Sequence, residues 1–169
     1  RQDFNPPLTH PYSSVVSTKL SYNNVMLDIA LKEWSLVCDF LAAGRLALLL
    51  RKGGIAEDEG PGRFRPAYER FALYPAWEHQ KPDMIKPGWT SGPVEAYDRE
   101  PAELTLKAYA QVGGIWQVPS RSAFEELDEL HCWQPGQIDM RFNYKPQRPL
   151  YLLALRVYRL AQPKLIPSR

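Results

Sequence analysis

Leu46-Ala47-Leu48-Leu49-Leu50 is an unbroken apolar run closed by Arg45 and Arg51 and turned at once by Lys52-Gly53-Gly54. A run this short has strand length, and a strand this apolar must be buried inside a sheet. The other long apolar run, residues 150 to 155, is of strand length too. Nothing approaches the ~18 consecutive apolar residues of a membrane-spanning helix. The chain must therefore build its own core. With 169 residues, 44 % of them hydrophobic, and with 5 Trp, 9 Tyr and 6 Phe, it has the material for one domain.

The rest of the chain divides around breakers. Residues 1 to 24 are polar, carry three prolines and show no sustained periodicity, so they read as an extended N-terminal arm. Val25 to Ala43 reads as a helix that Gly44 stops. On that helix Asp28, Lys32, Ser35 and Asp39 share a wet face, while Glu33 projects among Met26, Val37 and Phe40. A carboxylate on an apolar face needs a partner or an altered pKa, and the cations of the next strand are the nearest partners. Ala56 to Arg63 reads as a loop, Phe71 to Tyr74 as a short strand halted by Pro75, and residues 79 to 100 as a long excursion. Pro101 opens a helix to about Gln111. Ile115 to Val118 is a brief strand, and Ser122-Ala123-Phe124-Glu125 matches a capping box for a helix to about His131. Leu150 to Leu160 is a buried strand. The expected architecture is α+β: a small mixed or barrel-like sheet with two or three flanking helices and extended arms. Its divisions are an arm over 1–24, a single α+β domain over 25–165 and a tail over 166–169.

Charge is unevenly spread. Residues 141 to 169 hold seven of the 21 basic side chains and no acid, and the remainder carries 14 basic and 19 acidic groups. A basic end on an acidic body points to an anionic partner. Cys38 and Cys132 are too few for a disulfide scaffold, which favours a reducing compartment; Cys38, on an expected helix, reads as a buried free thiol, and a single disulfide between the two is the alternative. The start at Arg1 fits either a trimmed end or removal of a targeting peptide. The expected location is cytoplasmic, or plastid stroma or organelle matrix in the second case.

Three constellations carry the chemistry of recognition. Arg51-Lys52-Gly53-Gly54 places two cations at a strand end before two glycines, a pattern for an anion nest or for a plain tight turn. The lysine precedes the glycines and no Ser or Thr follows, so it is no Walker loop. Tyr74, Trp77, Glu78 and His79 gather stacking and hydrogen-bonding groups beside one another. The C-terminal run interleaves aromatics with cations, Arg156 and Arg159 among them, as surfaces that track a phosphate backbone do. The histidines and cysteines have no metal-ligand spacing, no Gly-x-Ser-x-Gly elbow is present, and no cofactor motif is legible.

Ala30-Leu31-Lys32-Glu33-Trp34, Gly44-Arg45, Leu48 to Ile55, Phe71-Ala72-Leu73-Tyr74-Pro75, Glu78-His79-Gln80 and Arg156 to Leu160 together resemble the largely cyanobacterial family known as domain of unknown function 1802. The resemblance spans about residues 28 to 165 and implies no particular activity. More loosely, a helix ending in Gly, then Arg and a strand ending in Arg-Lys, is similar to the opening of ASCH and PUA-like barrels, which implies RNA or modified bases as ligands. The leading expectation is a non-catalytic domain that binds an anionic partner, RNA or a nucleotide. Arg51, Lys52, Gly53, Gly54, Arg156 and Arg159 would hold the anion, and Glu33, Tyr74, Trp77, Glu78 and His79 would orient or stack. The alternative is an accessory subunit of a larger photosynthetic or organellar assembly, wrapping a protein partner with residues 1–24 and 79–100. A hydrolase or nuclease comes third.

Overall fold

The computed structural model describes residues 15–22, 25–52, 69–91 and 100–168. Six strands and three α-helices alternate as β1 (Val15–Tyr22), β2 (Val25–Trp34), α1 (Ser35–Ala42), β3 (Leu48–Arg51), β4 (Arg70–Ala76), β5 (Glu103–Gln117), α2 (Arg121–Glu125), α3 (Pro135–Asn143) and β6 (Tyr151–Pro167). The strands form one mixed sheet in the order β1-β2-β4-β5-β6-β3. The pairing of β2 with β4 is parallel and the others are antiparallel. This is the expected α+β class with three flanking helices. Among the described residues no helix is long and apolar enough to cross a membrane.

Two segments expected as helix are strands, for different reasons. β2 lies between β1 and β4, and Leu27, Ile29, Ala30 and Leu31 are all buried. A strand covered on both faces loses the alternation that distinguishes it from a helix. Only the part from Ser35 turns helical, burying Val37, Cys38, Phe40 and Leu41. β5 carries a signal of its own: Leu104 and Leu106 alternate with Glu103, Thr105 and Lys107, and beyond a register shift between Leu106 and Ala108 the small Ala108 and Ala110 face the helices while Tyr109 faces the other side. That period of two outweighs the helix propensity of Glu, Leu, Lys and Ala and the initiating Pro101. The arm also contributes to the sheet, since Val15–Tyr22 pairs with β2. The rest of residues 1–24, the loop at 56–63 and residues 92–99 of the long excursion lie outside the described residues.

α1 ends as the sequence predicts. Gly44 has φ 72°, its N–H donates to the Leu41 carbonyl at 3.0 Å, and the Arg45 N–H donates to that of Phe40 at 2.9 Å. This is a Schellman closure, which needs the left-handed residue that glycine supplies. Arg45 then reaches back over Trp89 and donates to the carbonyls of Trp89 and Gly88, at 2.7 and 3.0 Å. That contact ties the 79–91 part of the excursion to the helix. α2 starts two residues earlier than the capping box suggests, with the Ser120 hydroxyl accepting from the Ala123 N–H at 3.1 Å.

The two sheet faces are unlike. On one, Ile29, Leu31, Phe71, Leu73, Ala108, Ala110, Leu153 and Leu155 pack against side chains from all three helices, such as Val37, Phe124 and Ile138. On the other, Ala30, Ala72, Tyr74 and Tyr109 join Leu27, Leu104, Leu106 and Leu160 in a smaller cluster to which, among the described residues, no helix contributes.

The α2–α3 region holds a buried histidine. His131 is sandwiched between Phe124 and Trp133, at ring separations of 4.8 and 5.6 Å, and its Nδ1 accepts the Trp133 N–H at 3.2 Å. Burial, helped by the Lys86 ammonium, lowers its pKa to about 4. The ring is neutral in the folded protein, whereas the unfolded chain takes up a proton below about 6.5. The stability this site contributes is therefore complete above pH 6.5 and is lost as pH falls toward 4, by at most about 3 kcal/mol. Urea unfolding of the wild type should weaken over that window, and His131→Phe, which keeps the stacking and removes the proton, should flatten that part of the pH dependence.

Candidate functional site

The sheet divides like a fork. β4 and β5 pair through Arg70↔Gln111, Phe71↔Ala110 and Ala72↔Tyr109. Beyond that point, among the described residues, Leu73 to Ala76 pair with β2, and Leu104 to Ala108 pair with β6. Pro75 has no N–H to offer and removes a donor from this stretch of β4. α1 lies across the opening. The result is a cleft of about 310 Å³, with Leu73, Pro75 and Trp77 on one wall, Glu103, Thr105, Lys107 and Ala108 on the other, and Ser35, Cys38 and Asp39 of α1 above. It lies at the carboxyl ends of the parallel pair β2 and β4, where diverging chain ends commonly leave ligand crevices in open sheets.

Its polar groups converge from separate elements. Lys107 crosses from β5 to Asp39 on α1 at 2.7 Å and ties the roof to the wall. Ser35, at the first position of α1, and Thr105 supply hydroxyls, and Glu103 supplies a carboxylate. Trp77, partly buried, is the aromatic side. Arg159 pairs in register with Ala108, which lines the cleft, and therefore projects to the cleft side of the sheet, where it is exposed. Arg156, three residues earlier on a regular stretch, projects to the opposite face. The two arginines expected to share one footprint are thus separated by the sheet.

The frame behind the cleft is ionic. Glu33, next to last in β2, is buried; its Oε1 accepts the Trp34 N–H at 2.9 Å, and its Oε2 meets Arg51 at 3.0 Å. Arg51, equally buried at the end of β3, also donates to the Lys32 carbonyl at 2.8 Å. Burial lowers the Arg51 pKa, and the Glu33 charge opposes that shift. Lys52 donates to the carbonyls of Arg141 and Phe142 at the end of α3, at 3.1 and 2.5 Å. A cation there satisfies carbonyls that the helix leaves open and complements its dipole. Both cations of the turn are therefore directed at internal partners. Gly53 and Gly54 lie outside the described residues.

The loop after β4 serves α1. The helix begins at Trp34 without a side-chain cap of its own; the Gln80 Oε1 accepts the Leu36 N–H at 2.9 Å instead. The turn through Glu78 and His79, with His79 at φ 60°, brings Gln80 into position while both of those side chains stay exposed. Tyr74 is fully buried, with the Lys32 ammonium 5.2 Å above its ring. The Cys38 thiol donates to the Glu33 carbonyl at 3.7 Å, and burial raises its pKa well above the usual thiol range. Burial pushes Cys132 up to about 12, so neither thiol is a nucleophile. Ser35, Asp39, Glu103, Thr105 and Lys107 were missed in the sequence; only the alternation of β5 signalled that Glu103, Thr105 and Lys107 share a side.

The chain belongs to the family described as domain of unknown function (DUF1802), whose pattern matches residues 30–169. No curated protein matches it. Among solved structures it is similar to a mutant ZmASCH protein from Zymomonas mobilis, with 12 % identity, 82 % of this chain and 85 % of that chain covered, and a TM-score of 0.47.

Removing one member of the Glu33–Arg51 pair strands the other charge in the interior. Glu33→Ala should cost about 3–5 kcal/mol in chemical denaturation, and Arg51→Ala a similar amount. Glu33→Met combined with Arg51→Met should cost less than either single change, because no unpaired charge remains.

Proposed function

We propose that this domain is a non-catalytic recognition module that takes a nucleotide unit of RNA into the cleft between β4 and β5. What supports the reading is one arrangement: the Trp77 indole and the Ser35 and Thr105 hydroxyls line the same small cleft, with Lys107 in its wall and Arg159 exposed on the same side of the sheet. A cleft of about 310 Å³ has the size of a small-ligand site. An aromatic wall stacks on any base, and hydroxyls, which both donate and accept, meet the mixed edge of a base. Glu103 adds an acceptor for an exocyclic amine.

The charges assign orientation. Inside the cleft Asp39 and Glu103 outnumber Lys107, so a phosphate is disfavoured there. Arg159 is the phosphate ligand in this reading. Arg51 and Lys52 serve the site from behind: they hold the strand ends and α3, and through Glu33 they fix the junction from which Ser35 projects. Gln80 fixes the start of the same helix, which gives the Tyr74 to Gln80 loop a positioning role and leaves stacking to Trp77.

Titration with the four ribonucleoside monophosphates, followed by calorimetry, tests this. Trp77→Ala should weaken binding by roughly 5- to 150-fold, the value of one stacked base. Thr105→Val should change the preference among the four bases. Arg159→Ala should weaken monophosphates and leave the corresponding nucleosides unchanged. Failure of all four to bind at millimolar concentration, or binding indifferent to Trp77→Ala, would rule the reading out.

A further inference from the structure

The sheet face turned away from the helices carries its own pattern, separate from the cleft. Arg70 on β4, Gln111 on β5 and Arg156 on β6 stand in one cross-strand row. The next row holds Ala72, Tyr109 and Tyr158, and Tyr158 stacks on Tyr109 at 4.9 Å with the rings 14° apart. On the other side of the arginine row, Gly114 pairs with Ala154 and Trp116 with Leu152. The step from Val112 to Gly114 contains an extra residue, and this bulge brings Gly114 and Trp116 onto the same face as Arg156. The Trp116 indole fills the space of a side chain at Gly114, where an added Cβ would lie 2.4 Å from the ring. Large aromatics are usually buried, yet Trp116 is 55 % exposed and Tyr158 40 % exposed, and Arg70 and Arg156 are exposed beside them.

We propose that the exposed strip of this face, from Trp116 past Arg156 and Arg70 to Tyr158, is a track for an extended single-stranded polynucleotide running along β6. Trp116 and Tyr158 stack bases, and Arg156 between them and Arg70 beside them hold phosphates. Along β6 the positions of Ala154, Arg156 and Tyr158 succeed one another at two-residue steps of roughly 6.5 Å, so aromatic, cation and aromatic alternate in a line. Charge favours this occupant. Among the described side chains, the paired positions of this face on β3, β4, β5 and β6 include Arg70 and Arg156 and no carboxylate. Exposed rings interleaved with cations, with no acid among the described paired positions of β3 to β6 on this face, are what sequence-tolerant single-strand binding requires. An acidic peptide would use the arginines and leave the rings unused. The track is independent of the cleft, because Arg156 and the cleft-side Arg159 lie on opposite faces.

The test compares polyuridine of about eight nucleotides with uridine monophosphate on the full chain. Trp116→Ala and Tyr158→Ala should each lower polyuridine affinity at least about fivefold. Arg156→Ala should lower the dependence of log affinity on log salt by about 0.7. Gly114→Val, which displaces the indole and keeps both arginines, should act like Trp116→Ala. Thermal unfolding checks that each variant folds; Trp116 and Tyr158 are exposed enough for their removal to leave the melting temperature near that of the wild type. Monophosphate binding in the cleft should not change in any of them, so loss of the cleft reading and loss of the track are separate results. The proposal is overturned by absence of polyuridine binding, by equal affinity of wild type and the Trp116→Ala/Tyr158→Ala double variant, or by loss that Trp77→Ala alone reproduces. Polyglutamate bound in preference to polyuridine overturns it as well.

Discussion

Glu33 and Arg51 meet in the interior at 3.0 Å, and each also binds main chain at the point where β2 becomes α1. The carboxylate takes the Trp34 N–H, and the guanidinium takes the Lys32 carbonyl. Between them they hold the last residues of β2 against the end of β3, although three strands, β4, β5 and β6, separate β2 from β3 in the sheet order. The pair thus works across the helix-covered side of the sheet and not along its hydrogen-bonded direction. Lys52, the next residue, extends the same tie to α3. A buried pair of this kind adds little net stability over an apolar substitute, but it specifies one arrangement, because any other leaves a charge unpaired. What it specifies here is the direction in which α1 leaves the sheet.

That direction matters because α1 covers the fork between β4 and β5. A continuous ladder would leave no cleft, and an uncovered fork would leave an open groove with exposed strand edges. Pro75 weakens the ladder on one side, the irregular pairing of β6 between Arg159 and Lys164 bends the other, and the Asp39–Lys107 bridge draws the helix onto the opening. An exposed bridge of this sort contributes little to stability. Its consequence is geometric, since it sets the width of the cleft mouth.

The sequence carried the fold class but not the placement of its helices. The apolar runs at 46–50 and 150–155 named two strands because each is short and bounded by breakers. Glu33 was legible as a group in need of a partner even though its surroundings were read as a helix, since an isolated carboxylate among apolar residues is costly in either structure. β2 was hidden by burial on both faces, which no local pattern reveals. The cleft was hidden for another reason. Ser35 and Thr105 come from elements about 70 residues apart, and only the parting of two strands brings them together. Trp77 could be named from its composition-rich loop, whereas Trp116 could not: its exposure follows from a bulge at Gly113-Gly114 that the sequence marks only as a break between elements.

The sheet sorts charge as well as hydrophobicity. The acids near the cleft, Asp39 and Glu103, stand on the helix-covered side, while the paired positions of the open face carry Arg70 and Arg156. β6 contributes to both sides because its alternation sends Arg156 one way and Arg159 the other. Its basic composition therefore forms two surfaces of different character and not one continuous patch. In the proposed reading a phosphate backbone follows the exposed strip, whose described paired positions on β4, β5 and β6 carry no carboxylate. In the same proposed reading a base, neutral and flat, enters the cleft, where the acids discourage phosphate and the hydroxyls and indole do not depend on charge. Recognition divided in this way separates an electrostatic contribution that falls with salt from a stacking and hydrogen-bonding contribution that does not.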